Sequence, residues 1–402
     1  MNRITLLGSV LTLALGACSY DPHSYNGDEI GARNMDVLFV LDDATDHANY
    51  DAISQQLGDL TASLTGIDGQ LPSLHVGVVT TDLGVSATNG AGGAAVGACT
   101  GTGKGGKLQK FTSTATDAYL SDERGGTKNF TGDLAAELEL LTAPTTATGG
   151  CEYGQPLEAM RQALDETVNP GFVRDDAQLQ VVFLTNNDDC SLASADFLTD
   201  SSITGDPALR CFAAGVVCDP DDATTPGKKR NCHPREDSNK IVPVGDYVDF
   251  LDGLKDQRSD ITVSAVAGLP SAVEVSGFGT LTSCTGNGGA TPAVRTGTLV
   301  SEFGGTVVDS CNPTNAYKQI GGAISARDTL CVPTTDVERC EVKDTSSGAT
   351  LSKCASATDA GPCWLADTGS GQCGGDQTAI RAKRGTAPAT ADSHIQARCF
   401  IN

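Results

Sequence analysis

The residues best suited to chemistry in this chain are aspartates that follow a short apolar run. Asp42, Asp43 and Asp46 come directly after the apolar residues Val37–Leu41. Carboxylate oxygens bind hard cations, of which Mg²⁺ requires a near-ideal octahedron and Ca²⁺ accepts more flexible oxygen sets. Aspartates are also favoured just before a helix, where they cap its first turn. The cluster is therefore either a cation site or a solvated, helix-capping loop.

A second polar cluster follows another apolar run, Leu179–Leu184. It contains Asn186, Asp188 and Asp189 and is followed by Cys190. Because ligands of open α/β sheets bind outside the carboxyl ends of the strands, we expect both clusters to face one crevice. The Asp188–Asp189 turn is either a second small cation loop or a helix-capping turn held by a disulfide.

The elements that position these clusters alternate between apolar strands and amphipathic helices. This alternation predicts an α/β fold with a doubly wound, mostly parallel sheet and helices on both faces. The predicted strands are 36–41, 74–80, 179–184, 261–267 and 305–308, and the predicted helices are 50–64, 134–141, 156–169, 247–254, 293–302 and 317–326.

Three stretches carry a family resemblance: Val37–Asp42 (VLFVLD), Gly149–Ala159 (GGCEYGQPLEA) and Val181–Ser191 (VVFLTNNDDCS). Together they resemble the von Willebrand factor A-type domain, of the cysteine-rich bacterial lipoprotein kind, over roughly residues 34–328. The resemblance implies a divalent cation on top of the sheet. In the family it is held by an Asp and two Ser of the first loop, a Thr of a middle loop and a later Asp. An open position remains for a partner's carboxylate.

The site implied by the resemblance is altered in this chain. Asp42 matches the first-loop aspartate, whereas Ala44 and Asp46 stand where the family has serines. Asn186 stands where the family has its later aspartate, and the middle loop offers Glu152 and Gln155 where a Thr is expected. Flexible oxygens of this kind suit Ca²⁺ better than Mg²⁺. The ligands implied for a remodelled Ca or Mg site are Asp42, Asp46 and Asn186, with Asp43 and Asp188 as further candidates.

The first residues predict export and lipid anchoring. Arg3 precedes an apolar run, Ile4–Ala14, that is too short to span a bilayer as a helix. The following Leu-Gly-Ala-Cys resembles a lipobox, which implies a signal peptide over 1–17 and lipid attachment at Cys18. An ordinary secretory signal with an incidental cysteine is the alternative. Ser19 after the cysteine favours the outer membrane by resemblance to lipoprotein sorting.

The number of cysteines indicates an exported protein, and the net charge excludes some classes of partner. Of 15 cysteines, 14 remain when Cys18 is set aside, and an even set in an exported chain predicts disulfides. Zinc ligation is the alternative, but the spacings are mostly wider than CxxC. The net charge of −23 argues against nucleic acid and against adsorption to anionic lipid, so the membrane is reached only through the anchor.

The chain divides into a tether, a large domain and a small one. We expect a tether over 18–33, a von Willebrand A-like domain over 34–328 with insertions near 83–128 and 190–240, and a disulfide-stapled β or irregular unit over 329–402. The chain has no HExxH, no GxSxG and no phosphate-binding loop, so an enzyme is not indicated. The favoured function is an envelope or surface protein that binds a protein or another macromolecule. A structural envelope scaffold without metal-dependent binding is the alternative.

Overall fold

The architecture described below is that of a computed structural model. The predicted signal peptide 1–17, the predicted lipid-bearing Cys18, and Ala44 and Asp46 lie outside the residues that it describes. The described residues are 24–26, 34–43, 56–64, 71–87, 93–124, 126–142, 150–201, 205–220, 223, 225–286, 289–327, 329–333, 337–345, 348–356, 358–359, 361–367, 373, 377–383 and 395–400.

The described part of the chain forms helices and strands in three sheets. The strands are β1 (Ser24–Asn26), β2 (Asn34–Leu41), β3 (Leu74–Thr80), β4 (Leu120–Asp122), β5 (Ala177–Leu184), β6 (Val216–Asp219), β7 (Gly227–Pro234), β8 (Ile261–Ala267), β9 (Val273–Val275), β10 (Leu281–Thr282), β11 (Val307–Asp309), β12 (Leu330–Val332), β13 (Cys340–Asp344), β14 (Ala349–Lys353), β15 (Cys363–Asp367), β16 (Thr378–Lys383) and β17 (Ile395–Phe400). The helices are α1 (Leu57–Leu64), α2 (Leu134–Thr142), α3 (Pro156–Ala163), α4 (Pro207–Gly215), α5 (Val244–Asp252), α6 (Val294–Glu302) and α7 (Ala316–Arg327).

The central sheet has six strands in the order β11-β8-β5-β2-β3-β4. Its strands are parallel except β4, which pairs antiparallel with β3 at one edge. Numbered along the chain, the order is 3-2-1-4-5-6, the doubly wound arrangement whose topological switch point lies between β2 and β5. Every residue of β2, β3, β5 and β8 is buried, which is why these strands are long apolar runs without alternation. The predicted fold class is confirmed.

Helices cover both faces of this sheet. On one face, α1, α2 and α7 pack against buried side chains of β2 such as Phe39. The Tyr317 ring packs edge-on against the Phe39 ring, with 6.2 Å between the ring centroids. On the other face, α3, α5 and α6 pack around Leu38, Met160 and Phe303. The parallel register sets Leu41 beside Thr80 and Leu184, so the carboxyl ends of three strands align at one edge. That edge carries both polar clusters.

One helix ends earlier than its sequence predicts. Apolar spacing predicts a helix over 156–169, whereas α3 ends at Ala163. The Asn169 side-chain amide donates to the Ala163 carbonyl at 3.0 Å and to the Gly106 carbonyl at 2.9 Å. Asn169 thus caps the last turn from outside the helix and ties it to the 83–128 insertion.

The 190–240 insertion contributes to a second sheet that the sequence did not predict. The sheet has four antiparallel strands in the order β10-β9-β7-β6, and β9 and β10 come from beyond the insertion. Phe212 of α4 packs with Val273, Val275 and Leu281 of this sheet. The β9–β10 hairpin is thereby held beside the carboxyl edge of the central sheet.

The C-terminal region forms a third sheet, with the strand order β1-β17-β13-β14-β15-β16-β12. Its core includes Val342, Trp364, Ile380 and Ile395, so the predicted small β unit is present. Residues 24–26, predicted as part of an irregular tether, are instead the edge strand β1, which pairs antiparallel with β17. A three-residue polar strand has no apolar periodicity, so only its partner reveals it.

All fourteen cysteines outside Cys18 form disulfides, as predicted. The pairs are 99–151, 190–211, 218–232, 284–311, 331–373, 340–399 and 354–363. The last three join cysteines of the C-terminal unit only to one another. Among the described residues, no helix is long and apolar enough to cross a bilayer.

Candidate functional site

Asp42 and Asp43 lie at the topological switch point of the central sheet. Both follow β2 directly, and their side chains are 5% and 2% exposed. The Asp42 amide donates to the Leu184 carbonyl of β5, which fixes the first turn beyond the strand. The Thr81 hydroxyl, just beyond β3, lies 3.5 Å from Oδ1 of each aspartate. Three strand ends thus converge on two carboxylates, as expected from the sequence.

The Thr185 and Asn187 side chains, just beyond β5, hydrogen-bond to Asp42 across the switch point. Asp42 Oδ2 accepts from the Thr185 hydroxyl at 3.1 Å and from the Asn187 side-chain amide at 3.2 Å. Asn186, predicted as a metal ligand, lines a neighbouring groove, and its carbonyl accepts from the Thr291 amide at 2.8 Å. The sequence offers two adjacent asparagines after β5 and nothing that distinguishes them.

A lysine from the 83–128 insertion reaches the second carboxylate. Lys104 Nζ lies 2.6 Å from Asp43 Oδ2, and the lysine side chain is 24% exposed. The Lys104 amide also donates to the Asp82 carbonyl at 2.8 Å, so the loop is fixed by its backbone as well. A Cβ at Gly150 would lie 2.7 Å from the Asp43 carboxyl group, and this glycine therefore allows the loop before α3 to close over the pair.

Asp82 adds a third carboxylate to this cluster. Its Oδ1 accepts from the Gly84 amide at 2.9 Å. Burial raises the pKa of Asp82 above its ordinary value, and the nearby Asp43 charge adds to the rise. The Gly84 hydrogen bond and the Lys104 charge act in the opposite direction. Lys104 is therefore the cation that two acidic side chains share.

Asp188, a further ligand candidate, caps a helix. It accepts from the Arg295 and Thr296 amides at 2.9 and 3.0 Å and from the Thr296 hydroxyl at 3.1 Å, all at the start of α6. Ala293, at the N-cap position, has no side-chain acceptor of its own. Burial raises the pKa of Asp188 even though these donors lower it. The capping alternative describes this aspartate.

Asp189 forms a fully buried ion pair. Arg295 donates to Asp189 Oδ2 through Nε at 3.1 Å and a terminal nitrogen at 3.0 Å, and both side chains are 0% exposed. The other carboxylate oxygen accepts from the Leu157 amide at the start of α3. Asp188 and Asp189 thus hold the first turns of two helices, and Cys190 bonds the same turn to Cys211 of α4.

A groove of about 480 Å³ opens beside the Asp42 cluster. Its lining joins the Asn186–Asn187 turn to the start of α4 and to the β9–β10 hairpin. Glu152 and Asp206 supply two exposed carboxylates, and none of the described residues that line the groove is a lysine or arginine. Cys151 and Cys284, at or next to the lining, are both in disulfides, so the walls are covalently braced. The sequence indicated Glu152 only as a middle-loop position.

An aromatic side chain stands at the tip of the hairpin that borders this groove. Phe278 is 99% exposed. Ser276 Oγ accepts from the Phe278 and Thr280 amides at 3.2 and 3.0 Å, which orders the tip, and Thr280–Thr282 continue into the groove lining. The only other large hydrophobic exposed in the described chain is Leu140, at 38%. No periodicity marks Phe278 in the sequence.

The described residues do not fit a divalent cation between Asp42 and Asp43. Such an ion needs the lone pairs of the carboxylates, whereas the groups at these oxygens are an ammonium, an amide N–H and hydroxyls. The cation held here is that of Lys104. Asp309 with Cys284 and Cys311 has the residue types of a metal site, but the two sulfurs are bonded to each other. A ligand role for Asp46 stays a prediction.

No protein-family model and no curated protein matches the chain. Among solved structures it is similar to proximal thread matrix protein 1 from the mussel byssus, at 12% identity over 76% of this chain and 51% of that chain, with a TM-score of 0.33. A structure of that protein with a zinc-occupied MIDAS motif matches at 11% identity over the same shares, again with a TM-score of 0.33. A von Willebrand factor type A protein from Catenulispora acidiphila matches at 11% identity over 92% of this chain and 58% of that chain, with a TM-score of 0.28.

The chain therefore spans about half the length of the mussel protein. Its central domain has the doubly wound strand order and the one antiparallel edge strand described above.

Proposed function

We propose that this chain is a lipid-anchored envelope protein whose von Willebrand A-like domain binds another protein at the carboxyl edge of its sheet. The observation that supports this most directly is Phe278, a fully exposed aromatic ring on an ordered hairpin tip beside a groove with two carboxylates. Burial of an exposed aromatic side chain by a partner lowers the free energy of the complex, and such residues are frequent interface hot spots.

The groove indicates the charge of the partner. Glu152 and Asp206 line it, and the whole chain carries a net charge of −23. A partner that presents lysine or arginine beside an apolar pocket for Phe278 matches this surface, and the acidic field accelerates its approach at low salt. The disulfides at the groove walls support the same function, because a braced site loses little conformational entropy on binding.

Site-specific crosslinking in cells tests this proposal. A photoreactive phenylalanine analogue at position 278 of the full chain is expected to crosslink to a protein, and the crosslink should weaken in the Glu152→Lys/Asp206→Asn variant. Asparagine at 206 keeps the cap of α4, where Asp206 accepts from the Leu209 amide at 2.8 Å. With a purified partner, Phe278→Ala should weaken binding by about 30-fold, the equivalent of a 2 kcal/mol hot spot.

Position 140 provides the matched control, since Leu140 is also an exposed hydrophobic but lies on α2. The same analogue there should give no such product. Equal crosslinking from both positions, or a crosslink at 278 that ignores the groove charges, would contradict a binding site. If the groove variants leave crosslinking unchanged, the alternative of a structural scaffold is favoured. The seven disulfides support that alternative.

The anchor is tested separately. Metabolic labelling with a fatty acid should mark the full chain, and Cys18→Ser should lose both the label and membrane association. Retention of the label in Cys18→Ser would contradict attachment at this residue. The acidic surface repels anionic lipid, so the membrane-bound fraction should depend on the anchor alone.

A further inference from the structure

The Asp42–Asp43 cluster lies where a cation site is expected, but one of its carboxylates already forms an ion pair with a lysine. Three carboxylates, of Asp42, Asp43 and Asp82, gather where β2 and β3 end. Like charges brought so close and removed from water repel each other unless a positive charge joins them. In the described chain that charge comes from Lys104, whose ammonium touches Asp43.

The loop that carries Lys104 has a shape suited to this task. Gly103, Gly105 and Gly106 flank the lysine with φ angles of 52°, 59° and 67°, a left-handed backbone that other residues rarely adopt. A Cβ at Gly103 would lie 2.4 Å from Asp82 Oδ1, so this turn can approach the carboxylates only as glycine. The sequence motif Gly-Lys-Gly-Gly, which lacks the context of a phosphate loop, thus presents an ammonium to the cluster.

We propose that Lys104 is a built-in replacement for the divalent cation at this crevice, so that the domain is stable without metal. A lysine ammonium is a compact point charge on a flexible stem, and it can take a position that an ion would otherwise occupy. The amide of Asn187 and the hydroxyls of Thr81 and Thr185 complete the hydrogen bonding of the carboxylates. The inference concerns stability and cation dependence, and it stands apart from the partner proposed above.

The proposal predicts that removing the ammonium creates a divalent-cation site. In Lys104→Met the side-chain length is kept but the carboxylates lose their counter-charge, so a hard cation with oxygen preference can enter. We expect the Tm of the full chain to be insensitive to EDTA and to millimolar Mg²⁺, Ca²⁺ or Mn²⁺. Lys104→Met should melt lower, and saturating Ca²⁺ or Mn²⁺ should raise its Tm by about 2–4 °C or more.

Two matched variants separate charge from other effects. Lys107→Met removes an exposed lysine from the same segment and should leave both the Tm and its insensitivity to cations unchanged. Asp43→Asn/Lys104→Met removes both members of the ion pair and should recover much of the Tm that Lys104→Met loses. If Lys104→Met alone does not fold, the double variant should still fold.

Three results would overturn the proposal. The first is stabilisation of the unaltered chain by a divalent cation while Lys104 is in place. The second is a Lys104→Met variant that neither melts lower nor responds to cations. The third is a double variant that is no more stable than Lys104→Met. Crosslinking from position 278 is measured separately, so failure of the partner proposal and failure of this one are distinguishable.

Discussion

Two aspartate pairs follow neighbouring strands of the central sheet, and they differ in the groups that neutralise them. Asp188–Asp189 meets Arg295, which is wholly buried, and two helix starts. Asp42–Asp43 meets Lys104, which is a quarter exposed, together with hydroxyl and amide groups beside the open groove. The sequence presents both as acidic turns after apolar strands.

This difference shows that the burial of the counter-charge, more than the acidic sequence pattern, distinguishes an aspartate pair that stabilises the fold from one that is open to ligands. Arginine that donates two hydrogen bonds to one buried carboxylate oxygen cannot be exchanged for another ligand without leaving a buried charge unpaired. A partly exposed ammonium on a flexible stem can be replaced by an ion once the lysine is removed, because water and ions reach the carboxylates from the groove side. We therefore expect variants of the first pair to alter folding and variants of the second to alter cation dependence.

The largest expected effect is at the buried pair. Arg295→Met should lower the free energy of unfolding by about 3–5 kcal/mol, because Asp189 keeps its charge without a counter-ion in the interior. Urea unfolding of the oxidised chain, followed by tryptophan fluorescence and circular dichroism, measures the loss. Arg258→Met is the control, since Arg258 pairs with Asp252 at the surface, and its midpoint should hardly move. A loss at Arg295 as small as that of the control would contradict the contrast.

A smaller effect is expected at the cap of α6. Asp188→Ala removes the acceptor for two backbone amides and should cost about 1 kcal/mol, the usual value of a helix N-cap. Asp188→Asn keeps an acceptor oxygen and should cost less. The same urea experiment measures both. If alanine and asparagine were equally destabilising, the role of Asp188 would be its charge and not its hydrogen bonds.

The smallest effect concerns the pH dependence contributed by Asp82. Burial raises the pKa of this carboxyl from 3.8, so the folded chain holds its proton more tightly than the unfolded chain. Its contribution to stability is therefore complete below about pH 3.8 and is lost as the pH rises through the folded pKa. The free energy of unfolding of the unaltered chain, minus that of Asp82→Asn, should therefore fall as the pH rises above about 3.8.

Asp249→Asn, at an exposed position of α5, should show no such slope. In Lys104→Met the Asp82 slope should become steeper, because the ammonium lowers the pKa of Asp82. A slope of opposite sign would mean that Asp82 gains more from its hydrogen bond than it loses by burial.

The central strands were predictable because burial on both faces leaves a continuous apolar run in the sequence. The prediction gave 74–80 and 261–267 with the bounds of β3 and β8, and it placed β2 and β5 within three residues at their starts. The positions of Asp42 and Asp43 follow from those bounds, since the residue after a parallel strand must lie at its carboxyl edge.

The partners of the aspartates were not predictable in the same way. Lys104 is 61 residues from Asp43 in a glycine-rich segment that has no periodicity, and only the folded chain brings the two together. Asn187 was not singled out in the sequence, because the turn after β5 decides that its side chain reaches Asp42. The short strands β9 and β10, which support Phe278, are too brief to leave a pattern.

The edge strand β1 also shortens the segment that would join the proposed lipid at Cys18 to the folded chain. If Cys18 bears the lipid as proposed, five residues separate it from Ser24, a span of about 20 Å when fully extended. If β1 separated from β17, fifteen residues would lie between Cys18 and Asn34, and the fully extended span would be about 55 Å. With Cys18 lipidated, the three residue pairs between β1 and β17 would thus decide whether the lipid is reached by the shorter or the longer segment.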